Sequence, residues 1–254
     1  MPEAVIYALE DEIATITINE PENRNALSAR VRSGLREAFA TFAEDSDARV
    51  AILTGAGPKA FCAGGDLKDM SDSNLRRVPR DYIPLPGRNM VVDKPWIAAV
   101  NGYAVGGGVL YTALADMAIA SDTARFAMPE AKLGRGAPWS VPLAGQVPRK
   151  VWFEMAVTGD LLDAERACRV GLVNAVVPAV ELQQAARELA GKVVRAAPLT
   201  VAATMKSVRA SAQMGQSAAW DVADDLFDHV YLSEDGVEGP RAWVERREPR
   251  WQGR

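Results

Sequence analysis

Apolar and polar residues alternate over positions 4–9 and again over 12–18, with Glu10-Asp11 between them, and this pattern predicts a hairpin. From Ser28, a good helix N-cap, Val31, Leu35, Ala38, Phe39 and Phe42 recur at helical spacing. VAILTG and WIAAVNG read as buried strands. After them come a helix over 107–115, short strands at MAIAS and ARFAM, helices over 149–157 and 163–170, and a strand at LVNAVV. Alternation of strand and helix predicts an α/β domain with mainly parallel pairing. Beyond Pro178 the pattern is helical: 180–195, 199–213, 216–231 and 236–247. That tail is amphipathic, so it must pack on the core or on a neighbouring subunit. Residues 69–94 are rich in Pro, Arg and Asp and lack any period; they predict a loop with one short helix, its arginines solvated.

Composition narrows the function classes. A chain of 254 residues with 48% hydrophobic content can bury a sizeable core. A net charge of −4, from 29 basic and 33 acidic residues mixed throughout, gives no footprint for nucleic acid. Cys62 and Cys168 form no Cys-x-x-Cys motif and are expected to be reduced thiols of a cytoplasmic protein. The N-terminus, MPEAVIYALEDE, carries acids where a signal peptide needs positive charge, so no export is expected. Pro95–Ala115 contains 21 residues without a charge and meets the crude length of a membrane span. Its Ala, Gly and Val content, Asn101 inside it, and Lys94 and Asp116 at its ends favour a buried strand followed by a buried helix.

Gly55-Ala56-Gly57-Pro58-Lys59-Ala60 fits a dinucleotide-binding glycine fingerprint, yet no amphipathic helix follows it and no P-loop Lys-Ser/Thr is present. The single histidine, His229, lies in the helical tail, which leaves no base for a Ser/His or Cys/His nucleophile and no His-based metal site. Carboxylates and backbone remain. Gly64-Gly65 and Gly106-Gly107-Gly108 each follow a strand, and the second cluster opens a helix whose first N–H groups are unpaired. Two such donors aimed at one carbonyl make an oxyanion hole. Tight packing of strand on helix is the competing reading of the glycines. Glu130 follows Phe126, Met128 and Pro129; it is either a carboxylate in apolar surroundings whose raised pKa suits a base, or a helix-start glutamate paired with Lys132 or Arg135.

An ordered set of motifs then resembles the crotonase, or enoyl-CoA hydratase/isomerase, superfamily. The segments are NRNALS (23–28), VAILTGAGPKAFCAGGDL (50–67), KPWIAAVNGYAVGGG (94–108), FAMPEAKLG (126–134), EMAVTGDLLDAERACRVGLVNAVVP (154–178) and EGPRAWVERREPRW (238–251). The resemblance implies a crotonase-like spiral of ββα turns over 1–195 that binds acyl-CoA, and a helical C-terminal oligomerisation region over 196–254 that makes homotrimers, often paired into hexamers. It implies a coenzyme A thioester as substrate, no separate cofactor, no metal, no nucleic acid and no membrane, in fatty acid metabolism. It maps the thioester oxyanion hole onto the amides of Gly65 and Gly107, and the catalytic acid/base onto Glu130. Pantetheine and adenine are expected near Ala26, Ala63, Asp66 and Leu67, with Arg24, Trp243 and Arg246 at the nucleotide. Leu110, Tyr111, Leu133, Arg135 and Trp139 are expected to line the acyl pocket.

One departure bears on the reaction. Hydratases of the family carry two glutamates, one in the first turn after the glycines and one after the Pro of FAMPE; here the first position is Leu110. The following loop, GRGAPWSVPLAG, has an Ala137-Pro138-Trp139 similar to Δ3,Δ2-enoyl-CoA isomerase of the mitochondrial type. Isomerisation of an enoyl-CoA by a single base is therefore the expected reaction, with hydration of a 2-enoyl-CoA as the alternative. Arg135 beside the base raises a substituted acyl group, and the missing glutamate leaves a non-catalytic acyl-CoA-binding protein as a third reading.

Overall fold

The computed structural model describes residues 2–141 and 144–254, so Pro142 and Leu143 of the loop after Glu130 lie outside the described residues. Strands β1 (Val5–Glu10) and β2 (Ile13–Ile18) form the expected hairpin, closed by Asp11 and Glu12 at φ of 51° and 62°. Helix α1 (Ala29–Glu44) starts where Ser28 accepts a hydrogen bond from the Val31 amide, and it buries Val31, Leu35, Ala38, Phe39 and Phe42. These are the five positions the helical period marks.

The chain then winds through turns of two strands and a helix. Strands β3 (Val50–Gly55) and β4 (Ala60–Cys62) lead to the short helix α2 (Leu67–Asp72). Strands β5 (Trp96–Val100) and β6 (Tyr103–Val105) lead to α3 (Gly107–Leu114). Strands β7 (Met117–Ser121) and β8 (Arg125–Ala127) lead to a single 3-10 turn, Pro129–Ala131, and then to α4 (Arg149–Thr158). Strand β9 (Leu162–Asp163), α5 (Ala164–Arg169) and β10 (Ala175–Val177) complete the body.

The first strand of each turn joins a six-stranded sheet in the order β1-β2-β3-β5-β7-β10, and the second joins a four-stranded sheet in the order β4-β6-β8-β9. Only the β1–β2 and β8–β9 pairs are antiparallel among the described strands. The larger sheet is covered on both sides, which is why β3 and β5 are apolar and buried throughout instead of alternating. One face packs under α1 and α3, where Phe39, Trp96 and Tyr111 stack edge to face with centroids 5.5 and 6.4 Å apart. On the other, Ile52, Ile97 and Ile119 meet Leu182, Ala186 and Ala190 of α6 (Leu182–Val194).

Helices α7 (Pro198–Ser211), α8 (Gln216–Tyr231) and α9 (Glu234–Glu245) form the tail. Arg49 reaches across to donate to the Val194 and Ala196 carbonyls at 2.7 and 2.8 Å. The last residues fold back on α9, where buried Asp235 accepts from the Gln252 and Gly253 amides. The uncharged run from Pro95 to Ala115 is the buried β5–β6–α3 unit, and among the described residues no helix is long and apolar enough to cross a membrane. Gly55–Ala60 runs into strand β4 and not into a helix, which removes the dinucleotide reading.

Candidate active site

Three adjacent parallel strands of the smaller sheet, β4, β6 and β8, end at the same edge. Cys62 pairs with Ala104, and Val105 with Ala127. Gly65 lies three residues past Cys62, Gly107 three past Ala104, and Glu130 three past Ala127. Register thus brings together the three groups that the sequence marked as chemical.

Around them is a cavity of about 290 Å³, lined by Ala63, Gly65, Leu67, Gly107, Leu110, Glu130, Leu133, Arg135 and Trp139 among others. Among the described residues neither the Gly65 nor the Gly107 amide donates to a backbone carbonyl, so both are free to meet a ligand oxygen. The packing reading of the glycines holds at particular positions. A Cβ on Gly108 would lie 2.2 Å from the Cys62 carbonyl oxygen, which is a packing demand. Gly64 combines φ of +84° with a Cβ position 2.6 Å from the Val105 oxygen. Gly106, at φ +51°, clears the space beside Glu130: its Cβ would sit 2.9 Å from Oε1.

The Glu130 side chain is not tied into an ion pair. Lys132 turns to Asp160 at 2.7 Å, and both terminal nitrogens of Arg135 donate to the Leu75 carbonyl at 3.1 Å. Glu130 Oε2 is buried with no hydrogen-bond partner. Burial raises the carboxyl pKa above its ordinary value, offset in part by a hydrogen bond from its own backbone amide. A half-desolvated carboxylate with one unsatisfied oxygen is suited to taking and returning a proton. Cys62, at the end of β4, is no rival nucleophile, because burial pushes its thiol up to about 12.

Not every expected residue reaches the cavity. Tyr111 is fully buried on the opposite side of α3, where its hydroxyl donates to the Pro84 carbonyl at 3.0 Å and its ring packs on Trp96. It anchors the 69–94 loop and does not border the cavity. Asp66 is the N-cap of α2: it accepts from the Lys68 and Asp69 amides and from Asn23 at 2.9 Å, and these bonds hold its pKa low. Arg24, in the left-handed region, and Ala26 run beside the cavity rim, with the Arg24 carbonyl accepting from the Ala63 amide at 3.1 Å. Trp243 is 86% exposed on α9, and Arg246 ends that helix; within one chain neither borders the cavity.

The sequence reading missed the opposite wall. Met70, Arg80, Tyr82, Ile83, Leu85 and Arg88, all from the 69–94 loop, line the same cavity, with Arg80 and Arg88 exposed as expected. The loop is held in place at several points: Arg32 donates to the Tyr82 hydroxyl at 2.7 Å and Arg36 to the Asp81 carbonyl at 2.8 Å. Its density of arginines was the available signal.

A family model described as enoyl-CoA hydratase/isomerase matches residues 8–254. Carnitinyl-CoA dehydratases of Citrobacter koseri and Salmonella typhimurium are each 39% identical over 269 residues, with 100% of both chains covered. Among solved structures, enoyl-CoA hydratases of Mycobacterium tuberculosis H37Rv and Mycobacterium marinum are 36% and 34% identical, cover 100% of both chains and superpose with a TM-score of 0.91. These names are of hydratases and dehydratases, and the isomerase likeness drawn from Leu110 and Ala137-Pro138-Trp139 has no counterpart in them.

Proposed function

The chain belongs to the enoyl-CoA hydratase/isomerase family, an acyl-CoA-processing enzyme family, and from that premise we propose that it adds water to a 2-enoyl-CoA and eliminates it from a 3-hydroxyacyl-CoA, with Glu130 as the single acid/base. In the elimination direction the Glu130 carboxylate takes the proton from C2. The negative charge moves to the thioester oxygen, where the Gly65 and Gly107 amides stabilise it, each donor being worth about 2.7–4 kcal/mol in known oxyanion holes. The C3–O bond then breaks, and the departing hydroxide leaves as water with the proton that Glu130 carries. One carboxylate serves both steps when proton and hydroxyl leave from the same face.

The observation that carries this reading is the unpartnered Oε2 of Glu130, whose side chain lies beside Gly106, in a cavity that also exposes two unpaired amides. The hydratase and dehydratase names of the relatives support addition–elimination over isomerisation. Leu110, 2% exposed in the cavity wall where the family's hydratases place a second glutamate, favours the second reading: proton transfer from C2 to C4 of a 3-enoyl-CoA. Incubation in D₂O with a 2-enoyl-CoA and its 3-enoyl isomer, followed by mass spectrometry, separates the two. Formation of 3-hydroxyacyl-CoA is expected. Interconversion of the enoyl esters with deuterium uptake and no hydroxyacyl product would replace hydration by isomerisation.

The tail is proposed to join copies of the chain into trimers or hexamers, since Trp220, Tyr231, Leu232, Trp243 and Val244 are large apolar side chains left exposed on α8, α9 and the turn between them. Trp243 and Arg246 then meet the nucleotide of a neighbouring copy.

A further inference from the structure

The apolar cavity at Glu130 does not end at Trp139. It shares Val78, Pro79, Arg80, Arg88, Arg135, Gly136 and Pro138 with a second, wider space of about 940 Å³. That annex is lined by five arginines, Arg76, Arg77, Arg80, Arg88 and Arg135, and by no acidic side chain. In the inner cavity Glu130 is the one acid among the described lining residues.

None of these guanidinium groups is ion-paired among the described residues, although Arg135 already donates to the Leu75 carbonyl. Arg30, Arg32, Arg166, Arg187, Arg209 and Arg247, by contrast, all form ion pairs. The chain as a whole carries a net charge of −4, so the positive field is local to this mouth. A cleft lined by one sign of charge beside apolar walls focuses that field on an entering ligand.

Position decides which part of the substrate meets it. The annex borders none of Ala63, Gly65, Gly107 and Glu130, the end at which thioester and pantetheine are expected. It opens instead beyond Pro138 and Arg135, on the acyl side. Resting on the acyl-CoA reading of the site, we propose that Arg80, Arg88 and Arg135, reinforced by Arg76 and Arg77, select CoA thioesters whose acyl chain ends in a carboxylate. Apolar wall residues such as Val78, Leu133 and Pro138 take the methylenes, the planar guanidinium forks of Arg80 and Arg88 take the two carboxylate oxygens, and Arg135, held on the Leu75 carbonyl, adds its charge. The same field repels an acyl group ending in a cation, which makes the annex a discriminating device as well as an attractive one.

The test uses saturated thioesters, which cannot be hydrated, so it is independent of the reaction assigned to Glu130. Dissociation constants are measured by calorimetry for glutaryl-, adipyl- and suberyl-CoA, each against the neutral ester with the same number of acyl carbons. At least one dicarboxylic ester is expected to bind about tenfold or more tightly than its neutral counterpart at low salt, with the advantage shrinking as ionic strength shortens the screening length. In the Arg80→Met/Arg88→Met variant, checked for an unchanged melting temperature, the advantage should fall to within about threefold of none. Equal binding of all three pairs to the wild-type chain overturns the proposal. So does a variant that weakens dicarboxylic esters, neutral esters and free CoA alike, because the arginines would then hold the nucleotide phosphates. Absence of hydratase activity with the carboxylate preference intact would count against the reaction alone.

Discussion

Substitution of Gly108 by alanine tests whether the glycine run is demanded by packing behind the site. An added methyl would lie 2.2 Å from the Cys62 oxygen, 3.2 Å from its carbonyl carbon and 3.3 Å from its Cβ. Ordinary contact begins near 3.4 Å, and the obstacle is strand backbone, so β4 and α3 must part by about 1 Å. Overpacking of this kind costs about 1–3 kcal/mol, here at the upper end because no side chain can swing aside. Alanine's better helix propensity returns about 1 kcal/mol. The net loss of about 2 kcal/mol corresponds to a fall in melting temperature of about 4–8 °C for a chain of this size. Because β4 runs on to the Gly65 amide and α3 begins at the Gly107 amide, the same parting misplaces both donors. A 1 Å error at a catalytic constellation lowers kcat/KM by about 100-fold. The companion change Gly107→Ala places its methyl 2.6 Å from Leu27 Cδ1, the tip of a side chain that can rotate, and should move the melting temperature by no more than about 2 °C. Thermal melts and steady-state kinetics on both variants decide the matter. A Gly108→Ala protein that melts with Gly107→Ala and works like the wild type would refute the reasoning.

Three further outcomes are expected. Glu130→Gln should abolish hydrogen exchange at C2, a loss of about 10²-fold or more, while CoA-ester binding persists. The same variant should gain stability with pH. The folded pKa of Glu130 is raised, so wild-type stability drains away as pH climbs from the ordinary carboxyl value of 4.5 through the folded one. Its melting-temperature advantage should therefore be absent in acid and fully present at neutral pH, and an advantage confined to acid would reverse the sign assigned to burial. Asn25→Ala removes a fully buried side chain that donates to the Ala60 and Ala56 carbonyls at 2.7 and 3.0 Å and accepts from the Glu20 amide. Orphaning those groups should cost about 2–4 kcal/mol, read as a lower denaturation midpoint with an unchanged slope.

Long elements were legible in the sequence because each obeys one period over many residues. Ser28 with five apolar positions fixed α1, and mostly apolar runs marked β3 and β5 as strands. The two-sheet spiral was not legible from period, since β4, β6 and β8 are three residues each, too short to show one. That level came from the ordered motifs. Tyr111 was misplaced for a local reason: consecutive helical residues point about 100° apart, so a neighbour of Leu110 in sequence faces away from it in space. Arg80 and Arg88 are exposed, as the sequence reading has them, and only the folded chain shows that solvated arginines also border the cavity.

Gly65, Gly107 and Glu130 stand two or three residues past the ends of three neighbouring strands, whereas four of the five annex arginines hang on a loop outside that count. Chemistry and selectivity are thereby inherited on separate parts of the chain. Deleting one residue between Ala127 and Glu130 would swing the carboxylate off its proton, but lengthening or shortening the 69–94 loop leaves amides and acid where they stand. A descendant gene can therefore try new acyl groups by drifting in that loop without ever passing through an inert enzyme.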